Sequence, residues 1–127
     1  MIYADTNTLV YLVENFTPTG DAVRRRFAEW SADVAVSPLV ELECKILPLR
    51  RGDDLLVRRY ERLIEGLHML DIPAEAFEQA TRLRAHHRLS TLDAIHLATA
   101  QHHVCDAFWT HDDRLRAAAG GMAIETL

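Results

Sequence analysis

Met1-Ile-Tyr-Ala-Asp-Thr-Asn7 opens the chain. Ile2, Tyr3 and Ala4 form a short apolar run, and Asp5 follows it directly with Thr6 and Asn7 alongside. An apolar run that stops abruptly at polar side chains reads as a buried strand whose carboxyl end has work to do. Helix caps and turns also recruit Asp after a strand. A cap needs one such side chain, however, and this strand end offers three.

Outward from this stretch, further short apolar runs at residues 34–36, 68–70, 107–109 and 123–125 join residues 1–4 as strand candidates. Between them, 3.6-residue periodicity predicts helices over 8–15, 21–30, 38–49, 53–65, 74–87, 91–103 and 112–118. Pro38 and Pro73 suit first helical turns, Gly20 and Gly52 mark breaks, and Gly120-Gly121 ends the last helix. Strands alternating with helices imply an α/β fold with a mostly parallel five-stranded sheet covered on both faces. In such sheets ligands bind outside the carboxyl ends of the strands, where Asp5 and Asp112 both fall. The 127 residues suffice for one hydrophobic core and contain no repeat or linker, so residues 1–127 are expected to form a single domain.

Four acids stand near strand ends or helix starts inside otherwise apolar sequence: Asp5, Glu43, Asp93 and Asp112. Four hard oxygen ligands converging from distant parts of a small chain suit magnesium or manganese. Within Ser37-Pro-Leu-Val-Glu-Leu-Glu-Cys44 two glutamates compete. Glu41 precedes Lys45 by one turn, the favourable order for an exposed ion pair. Glu43 has Leu39, Val40, Ile46 and Leu47 as helical neighbours, which sets its carboxylate on or beside the apolar face. An inward acid is costly unless paired or metal-bound, so Glu43 is the better ligand. Ser90-Thr-Leu-Asp93 matches a capping box, and the apolar helix after it must be buried; capping and metal binding are compatible at Asp93. Thr110 and Asp113 read as a cap and its box acid, which leaves Asp112 free to point toward Asp5. His96, three residues beyond Asp93, reads as a hydrogen-bonded packing residue, with a supporting contact to the acids as the alternative. The histidines supply no zinc motif.

Composition narrows the field. The formal charge of −5 does not advertise nucleic-acid binding, yet acids gathered around a cation would reverse the local field. Lys45 is the sole lysine; the other cations are arginines, grouped at Arg24-Arg25-Arg26, Arg50-Arg51, Arg58-Arg59 and from Arg82 to Arg88. Each group reads either as a solvated helix face or as a phosphate grip. Cys44 and Cys105 lack metal spacing and read as plain thiols. No apolar run is long enough to span a bilayer, and the opening strand lacks the regions of a signal peptide, so a cytoplasmic protein is expected. No Gly-rich phosphate loop, nucleophile elbow or Cys/His pairing is present.

Four stretches together resemble a PIN domain, and more narrowly the VapC toxins of bacterial toxin–antitoxin systems. They are Tyr3-Ala-Asp-Thr-Asn7, Ser37-Pro-Leu-Val-Glu-Leu-Glu-Cys44, Leu92-Asp-Ala-Ile-His-Leu-Ala-Thr-Ala100 and Phe108-Trp-Thr-His-Asp112. They span nearly the whole chain in the family's order, and Asp-Ala-Ile-His-Leu-Ala is the most specific. The family's second acid falls at Glu43, the residue that helical geometry also selects. One departure is His111, where the family usually has Asn. The resemblance implies a PIN-like three-layer sandwich and a magnesium- or manganese-dependent endoribonuclease, homodimeric and held by a cognate VapB-type antitoxin. Asp5, Glu43, Asp93 and Asp112 would hold one or two ions, supported by Thr6, Asn7 and Thr110. The ions would activate water for in-line attack on a phosphodiester. RNA as substrate comes only from the resemblance. Two rivals remain: a nuclease for structured DNA, disfavoured by the short chain, and a PIN-like module that binds without cutting, disfavoured by the four acids. A haloacid-type phosphatase is disfavoured because Asn7, not a second Asp, follows two residues after Asp5.

Overall fold

The computed structural model describes residues 1–127. Its five strands form one parallel sheet, in the order β3-β2-β1-β4-β5. The strands are β1 Ile2–Ala4, β2 Val34–Val36, β3 His68–Met69, β4 Ala107–Thr110 and β5 Ala123–Thr126. Around them lie α1 Thr6–Glu14, α2 Pro18–Trp30, α3 Pro38–Arg50, α4 Asp54–Glu65, α5 Ala74–His86 and α6 Thr91–His102. The expected α/β architecture, a short parallel sheet flanked by helices, is what the chain adopts. β1 is central, with Ile2 opposite Val34 on one side and Ala107 on the other. From β1 the chain winds outward to β2 and β3, then crosses to β4 and β5. The order therefore reverses between β1 and β4, and in sheets of this kind ligands bind beyond the carboxyl ends of the strands at such a reversal.

Aromatic side chains anchor the centre. Tyr3, Tyr60, Phe108 and Trp109 are fully buried, and Tyr3 stacks on Phe108 with ring centroids 5.2 Å apart. Burying each such side chain contributes roughly 1.5–3 kcal/mol, so the strands that carry the site sit on the most strongly packed part of the molecule. Both cysteines are buried free thiols, and burial pushes the Cys44 thiol up to about 12.

Four local expectations need correction. α2 starts at Pro18, not at 21, because Pro18 fits the first helical position and α2 continues through Gly20. Gly20 is no break: it is buried, and a Cβ there would lie 1.8 Å from the Asn15 carbonyl oxygen, so its missing side chain lets α2 close against the end of α1. Residues 112–118 do not make an α-helix; Asp113–Ala118 is a 3-10 helix. α1 begins at Thr6 because Asp5 is its cap.

Candidate active site

Asp5 stands directly after β1, beside the point where the strand order reverses. Its N–H donates to the Trp109 carbonyl (3.1 Å), carrying the β1–β4 ladder one residue past β1. Its Oδ1 accepts from both the Thr8 N–H and the Thr8 hydroxyl, each at 2.9 Å. Asp5 is thus a helix cap, but one oxygen does all the capping. No hydrogen bond or ion pair reaches Oδ2, so the cap and ligand roles use different atoms of one carboxylate.

Glu43 is held from two elements. Thr6 Oγ1 donates to Glu43 Oε1 (2.8 Å), and His96 Nε2 lies 2.5 Å from the same oxygen. Oε2 is left unengaged. A carboxylate only accepts, so Nε2 carries a hydrogen; in the neutral ring, Nδ1 then accepts from the Tyr3 hydroxyl, 2.7 Å away. Ser37 Oγ lies 2.8 Å from that hydroxyl on its other side and can donate to it. Burial, followed by the negative charges of Asp5 and Glu43, raises the Tyr3 hydroxyl pKa against the lowering effect of Ser37, so Tyr3 keeps its proton for His96. Burial alone would raise the Glu43 carboxyl; the hydrogen bonds from His96 and Thr6 outweigh it and hold Glu43 below its usual value. His96 is therefore both a buried packing residue and a direct support for a site acid.

The helical-face argument selects the right glutamate for partly the wrong reason. Glu41 does face Lys45, at 3.2 Å. The buried stripe of α3 is Val40, Cys44 and Pro48, whereas Ile46 and Leu47 are exposed. Glu43 borders that stripe through Val40 and Cys44 alone.

Asp93 begins α6 with half a capping box. Ser90 Oγ accepts from the Asp93 N–H at 3.1 Å, but the reciprocal contact from the carboxylate is not made. Both Asp93 oxygens are left without a hydrogen bond or ion pair.

Asp112 departs furthest from expectation. Thr110 and Asp113 do not form a cap and box: Thr110 Oγ1 accepts from the Asp112 N–H (3.1 Å), Asp112 itself caps the 3-10 helix, and Asp113 pairs with Arg116. Asp112 is not free either, because Arg114 grips it at 2.6 Å. This hydrogen bond first, then the Arg114 N–H and charge, lowers the Asp112 carboxyl despite some desolvation. His111 packs on Tyr11 with ring centroids 4.0 Å apart, and its Nε2 is buried without a partner. Asn7 is exposed and makes no side-chain bond to an acid.

The four acids divide by the group on which each acts. Asp5 and Glu43 act on Tyr3; Asp112 and Asp93 act on Arg114. The four do not close on one point, and no three His, Cys, Asp or Glu side chains are grouped as around a single ion. Bringing carboxylates together without a cation is costly: two of them 4 Å apart repel by up to about 4 kcal/mol at an effective dielectric near 20. The donor chemistry nevertheless fits a hard divalent ion, since Asp5 Oδ2, Glu43 Oε2 and both Asp93 oxygens are available. Sequence reasoning missed Tyr3, Ser37, Thr8 and Arg114. The Arg114 and Thr8 signals were local, two residues from Asp112 and three from Asp5.

Residues 2–121 match the PIN domain family. The chain belongs to the PIN domain family. Ribonuclease VapC46 of Mycobacterium tuberculosis is 35% identical to it over 127 residues, covering 97% of this chain and 95% of that protein. Among solved structures, a toxin–antitoxin complex from Klebsiella pneumoniae is similar with a TM-score of 0.79 at 22% identity, covering 99% of this chain and 97% of that one. VapC20 of Mycobacterium tuberculosis, a sarcin–ricin loop cleaving toxin, is similar at 0.76 and 23%, covering 94% and 95%. FitAcB from Neisseria gonorrhoeae is similar at 0.78 and 20%, covering 98% and 96%. These structural likenesses carry the fold.

Proposed function

We propose that residues 1–127 act as one domain, a magnesium- or manganese-dependent endoribonuclease toxin of a VapBC-type toxin–antitoxin module, cytoplasmic and homodimeric. The observation that carries the reading is the set of unengaged carboxylate oxygens on Asp5, Glu43 and Asp93, with Asp5 and Asp112 just past the carboxyl ends of β1 and β4. Asp5, Glu43, Asp93 and Asp112 would hold the metal. When bound, a divalent ion supplies Lewis acidity that activates an attacking water at neutral pH and offsets charge on the leaving oxygen. The chain's own residues do the positioning. Thr6 and His96 fix Glu43 in one orientation and keep it ionised. Thr8 leaves Asp5 one oxygen turned away from the cap. Thr110 supports the turn that carries Asp112.

RNA as the substrate draws on the ribonuclease relative and on uncompensated cations. Arg50, Arg51, Arg58, Arg59 and Arg62 take part in no ion pair, as suits a surface that meets phosphates. With manganese or magnesium the purified chain should cut members of an RNA panel and leave a matched DNA panel intact. Cleavage of DNA alone would favour the DNA nuclease, and binding without any cleavage would favour the non-cutting module.

For the antitoxin, the support is an apolar surface: Leu42, Ile46 and Leu49 on α3 and Leu55 on α4 are all exposed, more than a solitary domain usually leaves together on one hairpin. Coexpression with the neighbouring reading frame should yield a complex in which cleavage is silent. A chain that stays free and active would remove the antitoxin from the reading.

A further inference from the structure

Of the four site acids, Asp112 alone has both oxygens occupied. Arg114 Nε lies 2.9 Å from Oδ1 and 3.0 Å from Oδ2, and Nη2 lies 2.6 Å from Oδ2. The Arg114 N–H adds a bond of 2.9 Å to Oδ1. The side chain of Arg114 is 75% exposed and that of Asp112 30%, so the guanidinium covers the acid from the solvent side. It also feels the charge of Asp93, so the third and fourth acids both act on this guanidinium.

A guanidinium fork and a divalent ion need the same carboxylate oxygens. One must leave when the other binds. Arg114 can leave at little cost, because it is held by a single carboxylate and has almost no packing to lose. Its fork matches phosphate as well as carboxylate, and once released it stands beside a site acid that a phosphodiester must approach.

We propose that Arg114 is a phosphate-gripping residue of the reaction, kept on Asp112 until a divalent cation claims that carboxylate and then turned toward the RNA phosphate. The phosphate half of this inference rests on the nuclease reading above; the competition with cation does not. Two opposite effects follow. Removing the guanidinium frees Asp112 for the ion, so metal binds more tightly, and it deprives RNA of a contact, so substrate binds more weakly. A merely structural role would weaken both.

Arg116 provides the control. It carries the same charge two residues on, is 54% exposed and has its Nε 2.8 Å from Asp113 Oδ1, an acid outside the site. The experiment measures manganese affinity by calorimetry without RNA, then KM and kcat on a short RNA at saturating manganese, for wild type, Arg114→Gln, Arg114→Lys and Arg116→Gln. Arg114→Gln should bind manganese about tenfold more tightly while KM rises about tenfold, the scale of one charge-assisted contact. Arg114→Lys keeps the charge without the fork and should recover only part of the substrate binding. Unchanged or weaker manganese binding in Arg114→Gln overturns the competition. Equal changes in Arg116→Gln overturn the proposal too, since they would trace to the general field of a positive charge. A wild type that cuts RNA beside an Arg114→Gln of unchanged KM overturns the phosphate role of Arg114 alone. A wild type that cuts no RNA overturns the nuclease reading and the phosphate role with it.

Discussion

Asp5→Asn is expected to lower RNA cleavage by about 1000-fold or more while the protein stays folded. Losing an outer hydrogen-bond partner of a metal ligand typically costs about 10–100-fold, and Asp5 is assigned as a ligand itself. The fold should survive because Asn is as good a helix cap as Asp. Its amide oxygen can still accept from the Thr8 N–H and hydroxyl that now bind Oδ1. Charge is what the substitution removes, and charge is what repels Glu43. With chelator present the variant should therefore melt at or above the wild-type temperature. Manganese should reverse the order. An ion that binds only the folded form stabilises by about 2.7 kcal/mol at a hundred times its dissociation constant, and the variant should gain less. Thermal melts across a manganese titration, beside cleavage rates, check both halves. Wild-type cleavage by Asp5→Asn, or an equal manganese gain, would show that Asp5 is not part of a metal site.

Glu43→Gln should reduce cleavage about 100-fold or more, whereas Glu41→Gln should stay within about twofold of wild type. The two residues are one helical step from each other in chemistry but not in surroundings. Glu41 forms a half-buried pair with Lys45 one helical turn on, and such i,i+4 pairs are worth about 0.3–0.5 kcal/mol. Glu43 is bound by Thr6 and His96 through Oε1 and keeps Oε2 unengaged. Gln can keep its oxygen toward Thr6 and His96, so the loss would be of charge and not of shape. The same substitution should alter the response to acid. Glu43 has a folded pKa below its ordinary 4.5, so the stability it contributes is complete above that value and is lost as pH falls through the lower folded one. Denaturant melts with chelator between pH 3 and pH 6, a range of about the width that linkage requires, should show a steeper acid loss in wild type than in Glu43→Gln. Equal activity losses in the two variants would sink the assignment of Glu43.

Alternation of short apolar runs with amphipathic stretches was enough to place five parallel strands among helices, because the period of burial is a local property of the chain. The four acids could be picked out on similar grounds: each interrupts apolar sequence beside a strand end or a helix start. Element boundaries were less legible. Gly20 looks like a break until the Asn15 carbonyl is seen to occupy the space of its absent side chain.

What the acids do with their oxygens was not written in their neighbours. Glu43 meets Thr6 and His96, 37 and 53 residues away, and His96 meets Tyr3 across 93. A hydrogen bond depends on distance and angle to within a few tenths of an ångström, and only the packing of β1, α3 and α6 on one core brings those atoms that close. Asp112 shows the other limit. Arg114 is a near neighbour in sequence, but whether it grips Asp112 or reaches into solvent depends on Thr110 and the 3-10 turn setting the angle between them. Residue types and their periodicity determine which elements form and which end of the sheet carries charge; the choice of partner for each charge is made by approach in three dimensions, where a rotation of one side chain exchanges a bound oxygen for a free one.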